Sequence, residues 1–163
     1  MKNQINPEQL KEAMRAWITG VAIVTGYHHG DIHGMTANSF NSIALSPPTV
    51  LVALRKHTRT NQLVKSGGVF GVSILNTEQE ALAKRFAGQI DIDLPRFQGV
   101  ETFNLVTNAP LIKQGMAFLD CKVVNSFDVG DTTVFLGEVL AAKKNGSGHQ
   151  PLLYLNREWR RLA

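Results

Sequence analysis

Apolar residues recur at helical spacing near the N-terminus and around residue 82. Elsewhere they come in strand-length runs broken by Gly, Pro, Asn and Asp. Asn6-Pro7-Glu8-Gln9 reads as a helix start, with Asn6 as cap, Pro7 at the first helical position and Gln9 closing a capping box. Leu10, Met14, Trp17 and Ile18 then share one helical face, and Gly20 can end the helix. Val21 to Tyr27 reads as a buried strand, His28-His29-Gly30-Asp31 as a turn, and Ile32 to Thr36 as the returning strand. Thr49 to Arg55 is a further strand that Pro47-Pro48 stops from extending backwards. A short helix over Thr60 to Lys65, closed by Gly67-Gly68, leads into a strand from Val69 to Leu75.

Thr77-Glu78-Gln79-Glu80 has the form of a capping box ahead of a helix over Ala81 to Ala87, with Gly88 as its stop. Residues 89 to 110 lack a clear period and hold Pro95, Gly99 and Pro110. They predict an irregular loop with one short strand near Phe103 to Val106, and a connection that long is often a functional lid. Phe118 to Phe127 and Thr133 to Ala142 predict two long strands around the turn Asp128-Val129-Gly130-Asp131. After a polar loop from Lys143 to Gln150, Leu152 to Tyr154 and Trp159 to Leu162 complete the sheet edge. Many strands, two or three helices and hairpin connections predict a mainly β fold, an antiparallel barrel with helical decoration.

Composition narrows the class. A chain of 163 residues suits one domain, and 44% apolar with 18% charged residues is globular composition. The net charge of +4 suits an anionic small ligand, but no Lys/Arg block argues for nucleic acid. Cys121 is the only cysteine, so no internal disulfide and no Cys-rich zinc site can form; in its strand-like run it reads as a buried, inert thiol. No apolar run is long enough to span a bilayer, and the first residues lack the apolar region of a signal peptide. The simplest expectation is a reducing, cytoplasmic location.

The candidate chemistry sits between the first hairpin and the strand at residue 49. Gly34-Met35-Thr36-Ala37-Asn38-Ser39-Phe40-Asn41-Ser42 is small and hydroxyl-rich, and its Thr36, Asn38, Ser39 and Ser42 can bond phosphate or polyol oxygens. The same residues also make ordinary turns. There is no G-x-G-x-x-G after a strand, no phosphate loop of the G-x-x-x-x-G-K-[ST] type and no H-E-x-x-H. His28, His29 and His33 lie close in sequence but match no strong metal spacing, and none is assigned a metal.

Several segments, taken together, carry a resemblance. Trp17 to Thr25, Gly34 to Phe40, Leu45-Ser46-Pro47-Pro48, Ala81 to Gly88 and Gly137-Glu138-Val139 occur in the order and spacing of the flavin-reductase-like family. These short-chain reductases feed reduced flavin to two-component monooxygenases. The resemblance spans nearly the whole chain. It implies an FMN-binding split β-barrel with Greek-key-like strand order, a homodimer, and flavin near the subunit interface.

It also implies a site. Thr36, Ala37, Asn38 and Ser39, with Ser42, would line FMN or FAD. Ala53, Leu54 and Arg55 would present backbone and charge to the ring and ribityl chain. Arg59 and Thr60 would take the phosphate, a guanidinium fork matching its oxygens. Lys84, Arg85 and Phe86 would close the site, although periodicity alone makes Phe86 a core aromatic. Asp131, Thr132 and Tyr154 would lie on the side of the hydride donor, NADH or NADPH. The family often has Gly-Asp-His at the hairpin where this chain has Gly130-Asp131-Thr132. Threonine can share a hydrogen bond but cannot titrate near neutrality or stack.

Three functions remain open at this point. The leading one is an NAD(P)H-dependent flavin reductase whose reduced flavin serves a partner oxygenase or another acceptor. The others are an FMN electron carrier or a reductase of metal or quinone, which the Thr132 departure feeds, and a barrel that binds no flavin.

Overall fold

The computed structural model describes residues 5–90, 94–146 and 148–163; the first four residues and small parts of the two long loops lie outside it. Helix α1 (Pro7–Met14) starts as the sequence predicts. The Asn6 side chain accepts from the Glu8 amide at 3.0 Å, and the Gln9 side chain accepts from the Asn6 amide at 2.9 Å. It ends four to six residues earlier than expected. Its C-terminal continuation is drawn into strand β1 (Thr19–Gly20), which pairs with β11 (Leu153–Leu155), so tertiary pairing overrides the helical period. None of its residues is buried.

Eight further elements build the body: β2 (Ala22–His28), β3 (Asp31–Ala37), β4 (Phe40–Leu45), β5 (Pro48–Arg55), α2 (Arg59–Gly67), β6 (Val69–Ile74), β9 (Ala117–Val129) and β10 (Thr132–Lys144). The short strands β7 (Thr102–Phe103) and β8 (Leu111–Ile112) pair in the loop region, and β12 (Glu158–Arg160) joins β1 and β11 in a small separate sheet. The last two strands therefore do not extend the main sheet edge as the sequence suggested. Helix α3 (Glu80–Phe86) follows a 3-10 turn over Thr77–Gln79. The cap there is Asn76 rather than Thr77: Asn76 Oδ1 accepts from the Glu78 amide at 2.9 Å, and Gln79 closes the box on Asn76.

The seven-stranded sheet is antiparallel, in the order β3-β2-β6-β9-β10-β5-β4. Its two edge strands are consecutive in the chain, joined by Asn38 and Ser39 alone. Three peptide units span at most about 11 Å, so the two edges must approach each other there. The sheet is thus curled on itself and split along a seam between β3 and β4. Strand β4, which the sequence hid inside the polar stretch, is the element that makes this seam.

Side-chain alternation on β2 explains why its sequence is uniformly apolar. Ala22 and Val24 face a core inside the curled sheet with Val52, Leu54, Phe70, Val72, Cys121 and Phe135. Ile23, together with Val21 just before the strand, faces a second core under α3 with Leu75, Ala83, Phe86, Ile112 and Leu152. Cys121 is buried, and burial beside Asp120 pushes its thiol up to about 12. That matches the inert thiol expected from sequence.

Candidate functional site

The seam opens into a groove of about 570 Å³. One wall is the β3–β4 turn, Ala37 to Asn41. The floor carries Leu51 and Ala53 of β5, and the other wall is Trp17 to Ala22, leading from α1 into β2. The turn is fixed by Ser39, whose hydroxyl donates to the Ala53 carbonyl at 2.6 Å and whose carbonyl accepts from the Ala53 amide at 3.3 Å. Asn38 is exposed into the groove. Apolar walls with a few polar groups, at this volume, suit a planar aromatic ligand with a polar tail.

A smaller cleft of about 150 Å³ lies behind it, lined by Val21, Thr36, Asn38, Ala87, Gln89, Tyr154 and Trp159. Val21 and Asn38 belong to both cavities. The Tyr154 and Trp159 rings meet edge-on at 5.0 Å, and the Trp159 indole donates to Gln89 Oε1 at 3.3 Å. Thr36 does not offer a free proton, because its hydroxyl donates to the Ala83 carbonyl of α3 at 2.7 Å.

The cationic residues are at the far end of β5. Arg55 is exposed and has no ion-pair partner among the described residues. Arg59, in the first turn of α2, pairs with Asp31 at 2.9 Å. Thr60 is fully buried and its hydroxyl is engaged with His33 Nδ1 at 2.8 Å. Burial, with Arg96 and Arg59 nearby, lowers His33 to about 4, and the ring is neutral at physiological pH.

The structure thus gathers Thr36, Ala37, Asn38, Ser39 and Ala53 around two connected cavities, with Tyr154 in the second. Several other candidates are placed differently. Phe86 is fully buried, with its ring edge-on to Phe97 at 5.1 Å, which is the core role that periodicity favoured. Leu54 is also buried, and its carbonyl is already taken by the Asn61 side chain at 3.0 Å. Arg85 donates to the Pro95 and Gln98 carbonyls, both at 2.8 Å, and holds the loop against α3. Lys84 pairs with Glu80 at 2.7 Å; that contact holds the Glu80 carboxyl below its ordinary range. Ser42 is exposed on β4 opposite Val50, while Asn41 lines the groove instead. Asp131 and Thr132 sit at the β9–β10 turn, where Thr132 is the ladder partner of Arg55, outside both cavities.

Sequence reasoning missed Trp17 to Gly20, taken as the end of a helix, and Val21, taken only as the start of a buried strand, and it missed Gln89 and Trp159. The run Thr19-Gly20 between apolar residues was the available signal, since small residues permit a ligand to approach the backbone.

Known proteins complete the picture. Residues 14–163 match the flavin reductase like domain. The chain is 35% identical over 146 residues to the NADH-dependent flavin reductase StyB of Pseudomonas fluorescens, covering 88% of this chain and 83% of that one. It superposes on the NADH:FAD oxidoreductase SgcE6 of Streptomyces globisporus, solved with NAD and FAD fragments, with a TM-score of 0.87, 34% identity and 99% and 97% coverage. For the flavin reductase of styrene monooxygenase from Pseudomonas putida S12 the TM-score is 0.84, with 32% identity and coverage of 95% and 97%. A mainly antiparallel β sheet split at a ligand-sized seam, and a match along nearly its full length, establish that this chain belongs to the flavin-reductase-like family.

Proposed function

We propose that this protein is an NAD(P)H:flavin oxidoreductase that reduces FMN or FAD and passes the reduced flavin to a partner monooxygenase or another acceptor. The observation that carries this reading is the pair of cavities meeting at Asn38 and Val21. Hydride transfer between two bound molecules requires contiguous sites that hold their reacting faces together. The names of the similar proteins agree with it: one is an NADH-dependent flavin reductase, one is solved with NAD and FAD fragments, and one is a styrene monooxygenase component.

The residues fit a flavin. Its ring system would lie along the apolar groove against Ala37, Ala53 and the Ile18–Ala22 wall, with Asn38 and Ser39 offering polar contacts. Arg55, at the open end of β5, would meet the phosphate, and Arg59 could join it on leaving Asp31. When bound, the flavin supplies the hydride-accepting chemistry, and the protein's share is positioning. The Tyr154, Trp159 and Gln89 walls of the smaller cleft would receive the nicotinamide end of the donor. No protein acid is required for this step.

We also propose a homodimer. Ile43 and Leu45 on β4, Val124, Phe127 and Val129 on β9 and Leu140 on β10 are exposed apolar residues in one half of the sheet, with Leu45 91% exposed. Leu10 and Met14 of α1 and Trp17 just after it are exposed too. Such surface is what a second copy would cover. The use of NAD(P)H supports a cytoplasmic location. Titration of the protein with FMN and FAD, followed by flavin fluorescence, and bleaching of the bound flavin by NADH or NADPH test the reading. Tight flavin binding without bleaching by either nucleotide would favour an electron carrier instead.

A further inference from the structure

We propose that Arg96 is a positioning residue that sets the width of the smaller cleft, and through it the affinity for the hydride donor. The proposal rests on the reading of that cleft as the donor's site. Arg96 comes from the long loop after α3, and its Nη1 donates to two carbonyls at once, Gly34 at 3.0 Å and Phe86 at 3.2 Å. Those carbonyls belong to two different elements. Gly34 lies on β3 two residues before Thr36, and Phe86 ends α3 one residue before Ala87. Thr36 and Ala87 line the cleft. The guanidinium therefore bridges the two segments of chain that contribute Thr36 and Ala87 to the cleft lining.

The junction has little slack. A Cβ on Gly34 would stand 3.0 Å from the Phe86 ring, so β3 and α3 are already in backbone-to-ring contact. Thr36 adds its own bond to the Ala83 carbonyl. The loop that presents Arg96 is held in turn by Arg85, which reaches from α3 to the Pro95 and Gln98 carbonyls on either side of it. Two arginines thus staple helix and loop reciprocally, one from each side. An arginine is suited to this because its planar fork can address several carbonyls while remaining charged. The larger groove is framed by the Ser39–Ala53 bonds instead and does not depend on this staple. Loss of Arg96 should therefore separate donor binding from flavin binding.

Steady-state reduction of FMN with varied NADH and NADPH, together with flavin titration, decides the matter on three proteins. In Arg96→Met the apparent KM for the donor rises roughly tenfold or more, because the charge-assisted bonds that tie β3 to α3 beside the cleft are lost. Flavin affinity and kcat at saturating donor stay near wild type. Arg96→Lys, which keeps a charged donor, recovers part of the KM. Trp159→Ala, a change in the cleft wall itself, tests the underlying reading separately. If its donor KM is that of wild type, the cleft is not the donor's site. If Trp159→Ala raises the KM and Arg96→Met does not, the positioning role is overturned and the cleft reading stands. Parallel losses of flavin affinity, donor KM and melting temperature in Arg96→Met would also overturn it, showing a general loosening of the fold. Should Arg96→Met fail to fold, Arg85→Met frees the other side of the staple and must raise the donor KM with flavin affinity unchanged; a wild-type KM there overturns the proposal.

Discussion

The two edge strands that meet at the seam are held in opposite ways. Strand β3 is backed by α2 and α3, and its polar groups are engaged: His33 with Thr60, Thr36 with the Ala83 carbonyl, and the Gly34 carbonyl with Arg96. Among the described residues strand β4 pairs with β5 alone, and Phe40 at its start packs on the core. The strand leaves Ile43 and Leu45 in solvent. One edge of the seam is therefore fixed by packing from behind, while the other leaves apolar surface open to solvent. An enzyme that binds flavin and then releases it needs this asymmetry: a rigid wall to orient the ring and an accessible one through which it leaves.

The strongest way to break the comparison is to unpack the fixed edge. Phe86→Ala removes a ring that is 0% exposed and packs on both Phe97 and β3. It should cost about 3–5 kcal/mol of stability in urea unfolding. Leu45→Ser on the free edge should change the stability of the isolated protomer by no more than about 0.5 kcal/mol. It should instead shift the association state seen by sedimentation. A small stability loss in Phe86→Ala would show that the ring is not core and would restore it as a candidate flavin contact.

Acid loosens the same edge. His33 is depressed to about 4, by burial first and then by Arg96 and Arg59, with Asp31 on Arg59 the nearest compensating charge. Its folded value lies below the unfolded value of 6.5, so the unfolded chain binds the extra proton more readily. Stability from this group is present above pH 6.5, falls as pH drops through the interval toward 4, and is lost below it. The full shift corresponds to about 3 kcal/mol, which solvent screening of the half-buried ring reduces. His33→Gln should flatten that part of the stability–pH curve; an unchanged slope would place the acid sensitivity elsewhere.

At the open end of the groove the effect is on binding. Arg55→Ala should weaken flavin binding by about 1.5–3 kcal/mol, the value of a bond to a charged group. Arg59→Ala should weaken it less, since Arg59 must first leave Asp31. The reverse ranking in a fluorescence titration would assign the phosphate to Arg59.

How much of this was legible in the sequence follows from where information is local. The capping box of α1, the β2–β3 and β9–β10 hairpins and the strand at Val69 rest on short-range turn and capping chemistry, and all are present within a few residues of their expected bounds. Strand β4 was not legible, because Asn41 and Ser42 look like turn residues and only pairing with β5 makes them a strand. The helix over Leu10 to Ile18 was overextended because β1 is stabilised by Leu153 and Tyr154, residues more than 130 positions away. At the site, the turn residues were visible as a cluster of small polar groups. Gln89 and Trp159 were not, since each reaches the cleft from a separate segment and carries no motif; nor was Arg96, which bonds the Gly34 and Phe86 carbonyls beside it.

The smallest effect is expected at the β9–β10 turn, and it tests the free side of the seam across protomers. Thr132 stands beside Arg55 in the ladder and donates its hydroxyl to Asp131 at 3.0 Å. It lines neither cavity of its own protomer. The resemblance implies histidine at this position, on the side of the nicotinamide. Both facts hold together if the turn of one protomer is brought to the donor cleft of a second. Thr132→His should then lower the apparent KM for one pyridine nucleotide, by the worth of a single neutral hydrogen bond, about 0.5–1.5 kcal/mol. Flavin affinity should barely move, because a group that touches only the donor contributes nothing to holding the resident ring. The measurement is steady-state flavin reduction with each nucleotide, repeated at concentrations on both sides of the dissociation midpoint seen by sedimentation. A gain confined to the associated form places the turn in the neighbour's cleft. No gain at any concentration keeps Thr132 outside the donor site, and weaker flavin binding would mean that the imidazole disturbs Arg55 beside it.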